Sequence, residues 1–118
     1  MANDLTWQQL SDALPAGSIT YDATAGIRIH PSVLTGDAYN GLTATGVIEA
    51  IAKLLNGCAK AQATINASSA IGSRLNAFAQ PAIGVPTADS NNNYFATVTY
   101  TLQTRNPLDL NTVLGPQI

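Results

Sequence analysis

Residues 45–66 read as one long helix with almost no wet side, and no other segment limits the fold as strongly. Val47, Ile48, Ile51, Leu54, Leu55, Cys58 and Ile65 recur at the spacing of a single helical face. The charged residues of the segment, Glu49, Lys53 and Lys60, share a narrow opposite strip with Asn56. Between stripe and strip lie two flanks of small residues, Ala52, Ala59 and Ala63 on one side and Ala50, Gly57 and Ala61 on the other. An ordinary surface helix has one apolar stripe and a broad polar face. The pattern therefore predicts a central helix covered on three sides, with a second copy of the protein as part of the cover. Ala52, Ala59 and Ala63 are then interface candidates. Gly57 costs a helix interior about 0.5–1 kcal/mol relative to Ala, which points to a close neighbour at that position.

The charge content fits self-packing. Asp, Glu, Lys and Arg make up 10% of the 118 residues, whereas a soluble domain carries about 25%. Repulsion between copies is correspondingly weak. The basic residues Arg28, Lys53, Lys60, Arg74 and Arg105 are scattered, so no cluster is set to neutralise a phosphate backbone and no nucleic-acid partner is expected. Charges inside the long helix make bilayer insertion costly, at about 2.5–3.5 kcal/mol for each one near the centre, so no membrane partner is expected either. The first residues lack the basic and apolar regions of a secretory signal, and the expected location is cytoplasmic. Cys58 is the single cysteine, which excludes an intramolecular disulfide; its place on the apolar stripe reads as a small buried hydrophobe.

The remaining elements follow from local signals. Thr6 and Gln9 have capping-box spacing at the start of a short helix over residues 4–14, which Pro15 and Gly17 end. Residues 18–22 and 27–34 alternate as a hairpin, with Pro31 marking an edge position or the end of its second strand. Residues 74–85 look extended, with Pro81 and Pro86 limiting their regularity, and residues 87–93 form a polar turn. Residues 94–105 alternate most clearly: Tyr94, Ala96, Val98, Tyr100 and Leu102 on one face, Thr97, Thr99, Thr101 and Gln103 on the other. The order α-β-β-α-β-β predicts a single α+β domain over residues 1–118, a four-stranded, mainly antiparallel sheet with the long helix packed across one face. Residues 106–118 hold Leu108, Leu110, Val113, Leu114 and Ile118 among breakers and read as a docking or subunit-exchange arm. Leu110, Val113 and Leu114 are its interface candidates.

Searches for chemistry return little. His30 and Cys58 fall on different elements and the carboxylates are widely separated, so neither a metal nor a cofactor is expected. Strand–Gly-x-Ser-x-Gly turns and phosphate loops are also missing. Arg28 and His30 share one side of a strand, where with Asp22 or a tyrosine they are candidates for binding a small anionic ligand or supplying a general acid. The leading expectation is a non-enzymatic structural or assembly protein acting through homo-oligomerisation, of phage-tail or connector type by fold-level analogy alone. The alternative is a small-ligand or partner-binding module with a pocket between helix and sheet. An enzyme built on Arg28, His30 and a carboxylate or phenol ranks third.

Overall fold

A computed structural model describes residues 4–104. Thr6 opens helix α1 (Trp7–Ala13) with the expected capping box: its hydroxyl accepts the Gln9 N–H while the Gln9 side chain accepts the Thr6 N–H. Such a cap is worth about 1 kcal/mol. Strands β1 (Ile19–Asp22) and β2 (Gly26–Ile29) pair antiparallel, with Ile19 opposite Ile29 and Thr20 opposite Arg28. Pro31 ends the second strand and starts helix α2 (Pro31–Thr35), where its missing N–H removes no helical bond. The strand therefore stops short of Leu34.

Helix α3 (Val47–Ala67) is 21 residues long, or about 32 Å at 1.5 Å per residue. It packs on α1 and α2. Leu10, Leu34, Cys58, Ala59 and Ala61 form the buried apolar core, with Ser18 and Gln62 as buried polar residues. Gly57 lies against the end of α1: a Cβ there would run into the Leu14 side chain and touch Leu10. The glycine thus trades helix propensity for helix–helix contact.

The class is α+β, but the expected four-stranded sheet under α3 is not what forms. The described strands make two-stranded pairs only. Residues 75–104 build a second hairpin, cut into β3 (Ala82–Ile83) with β6 (Val98–Thr99), and β4 (Thr87–Ala88) with β5 (Tyr94–Phe95). A bridge between Phe78 and Leu102 lies nearer its base. From Phe78 to Ala82 the leading strand takes four steps, while the returning strand takes three, from Leu102 to Thr99. The same surplus recurs between Ile83 and Thr87, matched by Val98 to Phe95. Each surplus interval contains a proline, Pro81 or Pro86, which has no N–H to give a ladder. Those two bulges interrupt the strand expected over residues 94–105 and leave no flat ladder for a larger sheet.

Amide side groups hold the base of this hairpin. Gln62 donates to the Phe78 carbonyl at 2.7 Å and accepts the Phe78 N–H at 2.8 Å. One turn further along α3, Asn66 does the same for Leu75, both bonds at 2.8 Å. Each amide supplies one donor and one acceptor, as a neighbouring strand would. Gln80 adds a bond from its own amide to the Ala59 carbonyl.

Candidate functional site

Arg28 lies on β2 and His30 just past its end, at the N-cap of α2, and each is engaged within the first hairpin. The Arg28 guanidinium meets the Asp22 carboxylate at 2.9 Å. Asp22 also accepts the backbone N–H groups of Thr24 and Ala25, at 2.7 and 3.0 Å. The Ala25 bond first, then the Thr24 bond, hold its carboxyl below the ordinary carboxylate value. His30 Nε2 lies 2.7 Å from the Thr20 hydroxyl, and the His30 N–H donates to the Ser18 carbonyl. These bonds brace the turn and the open end of the hairpin, a structural use of both residues.

The interface candidates on α3 divide. Ala59 is 1% exposed and is covered within the chain itself, Ala52 is half-buried, and Ala63 is exposed. Leu110, Val113 and Leu114 lie outside the described residues. The open surface on α3 is instead the first part of its apolar stripe: Val47, Ile48 and Ile51 are all exposed, Ile48 at 85%. Cys58, on the same stripe, is buried, and loss of hydration pushes its thiol up, away from the thiolate form.

Beside that exposed stretch, the connection before α3 and the start of the helix line an open apolar cleft of about 390 Å³. Ile29, Leu34, Tyr39, Leu42, Ile51 and Leu54 are among its lining residues. Gly46, the residue before α3, has φ 110°, and a Cβ on it would collide with the Tyr39 phenol. Glycine there allows both the backbone turn and the closure of Tyr39 onto the helix. The Tyr39 hydroxyl donates to Glu49 at 3.4 Å. Residue-level reading missed this cleft; the available signal was Tyr39 and Leu42 sitting in an otherwise polar, glycine-containing connection.

A further exposed apolar surface is the second hairpin. Every residue from 82 to 99 is exposed, including Ile83, Val85, Tyr94, Phe95 and Val98. Ile83 and Val98 oppose one another across the ladder. Tyr94 (74% exposed) and Phe95 (60%) are consecutive, so they project from opposite faces. Among the described residues, two large apolar side chains, Leu10 and Leu34, are buried, while sixteen are exposed. That imbalance far exceeds the scattered apolar residues of an ordinary surface.

Among the described residues no three His, Cys, Asp or Glu side chains gather as a metal site. No helix among them is long and apolar enough to cross a membrane. No protein-family model, curated protein or solved structure matches the sequence.

Proposed function

We propose that the protein is a structural subunit that acts by associating with copies of itself, with no catalytic role. The second hairpin and the start of α3 are its contact surfaces. One observation carries this reading: eighteen consecutive residues, 82 to 99, are exposed and include five large apolar side chains. An isolated two-stranded hairpin is marginal in water, and one with apolar groups on both faces gains stability when those faces are covered. Low charge supports a like copy as the cover, since 10% charged residues leave little repulsion to overcome. The analogy to phage-tail and connector subunits drew on a helix lying across a sheet; the proposal stands on surface chemistry instead. Light scattering coupled to size-exclusion chromatography tests it. An oligomer whose mass holds from low to high micromolar concentration is expected, and a strict monomer at high micromolar concentration overturns the reading.

The cleft of about 390 Å³ supports a second reading, binding of a small apolar ligand at the start of α3. It lies within the range of ligand-sized pockets and is walled mainly by apolar side chains. Native mass spectrometry distinguishes the two: a retained small molecule favours ligand binding, and a multiple of the bare subunit mass favours assembly.

A further inference from the structure

Asn-Gly occurs twice, at Asn40–Gly41 and Asn56–Gly57, and the fold treats the two pairs in opposite ways. The carboxamide of an asparagine closes onto the next backbone nitrogen when three conditions meet: a small following residue, a freely turning amide, and an N–H held by nothing else. Asn56–Gly57 lies in the interior of α3 with Gly57 buried, and the helical ladder holds the Gly57 N–H. Helical ψ also keeps that nitrogen away from Cγ of Asn56. Asn40–Gly41 lies in the irregular connection between α2 and α3, and both residues are exposed. Among the described residues no hydrogen bond holds the Asn40 amide or the Gly41 N–H. Gly41 sits at φ 128°, a region that glycine alone enters readily.

We propose that Asn40 is a site of spontaneous covalent modification. The Gly41 nitrogen attacks Cγ of Asn40; that N–Cγ bond forms as the Cγ–Nδ2 bond breaks. Ammonia leaves with the proton released from the Gly41 N–H. Water then opens the five-membered imide at either carbonyl, giving aspartate or isoaspartate, with no change of oxidation state. Asn40 stands between Tyr39 and Gly41, both of which line the apolar cleft, and Asp37 and Glu49 border the same loop. The reaction therefore adds a carboxylate to a loop already bordered by Asp37 and Glu49, next to a cleft whose lining carries no charged side chain.

Peptide mapping by mass spectrometry tests this on the full-length protein kept for days at mildly alkaline pH, with isoaspartyl methyltransferase labelling as the second readout. The Asn40 peptide should gain about 1 Da, at least about tenfold faster than the Asn56 peptide, whose reaction needs the helix to open first. Asn40→Gln should abolish the labelling. Equal rates at Asn40 and Asn56 would overturn the proposal. So would an unchanged Asn40 in the folded protein after a synthetic peptide of residues 37–44 has converted, and these two readouts decide the matter even if Asn40→Gln fails to fold.

Discussion

Residues 6–67 and residues 75–104 both carry large apolar side chains, and they dispose of them differently. In the first region three helices converge on Leu10, Leu34, Cys58, Ala59 and Ala61, one layer resting on another. In the second a single two-stranded layer is fastened at its base by Gln62, Asn66 and Gln80, and nothing among the described residues covers it beyond Ala82. An apolar face is hidden only when a second layer meets it. The helical region supplies its own second layer; among the described residues the hairpin has none. The start of α3 is like the hairpin in this respect, because among the described residues Val47, Ile48 and Ile51 stay exposed.

Leu10→Ala strikes where the two regions differ most. Truncating this core leucine of the helical region should cost about 2–5 kcal/mol by urea denaturation. A loss under about 1 kcal/mol would show that the helical region is not the stable one. Gln62→Leu comes next. It leaves the Phe78 N–H and carbonyl without their partner, at about 1–3 kcal/mol for a buried group so orphaned. Proteolysis of residues 69–80 should quicken in that variant, and unchanged cleavage would mean that the amides do not fasten the hairpin.

The comparison was only partly legible beforehand, for reasons that lie in the range of each interaction. The Thr6–Gln9 cap, the stop at Pro31 and the length of α3 depend on residues within a turn of one another. The Arg28–Asp22 pair follows from hairpin alternation and a short turn. Whether two hairpins merge into one sheet depends instead on contacts across the whole molecule. Pro81 and Pro86 were visible as irregularities, but only the paired register shows that both fall on one strand and that each brings a bulge. Gln62 and Asn66 gave no signal at all, since an amide on a helix reads as a group for water until a backbone lies beside it.

Two smaller effects sharpen the division. Phe95→Ser and Ile83→Ser should each change the stability of the dissociated subunit by no more than about 0.5 kcal/mol, as exposed positions do, while lowering the mass in solution. Unfolding of either variant would place those residues in the subunit's own core and erase the distinction. The weakest effect is that of pH on the first hairpin. Backbone N–H groups of Ala25 and Thr24 depress the Asp22 carboxyl. A group depressed on folding contributes stability above its unfolded value and loses that contribution as pH falls through its folded value. Amide chemical shifts of residues 19–29 should therefore move below about pH 4. Asp22→Asn should remove the response.

The two prolines of the second hairpin also give it a blocked side and an open one. Both stand on the strand that leads into the turn, and the returning strand over residues 94–104 has none. A third strand approaching the leading side would find gaps in the row of donors and a backbone bent by two bulges. One approaching the returning side would find its outward-facing N–H groups, at alternate residues, with no proline among them. Addition on one side alone is self-limiting: once two such hairpins have joined open side to open side, the outer borders of the pair are both proline strands. In the assembly proposed above, the proline-bearing strand is therefore the poorer edge for adding a further copy.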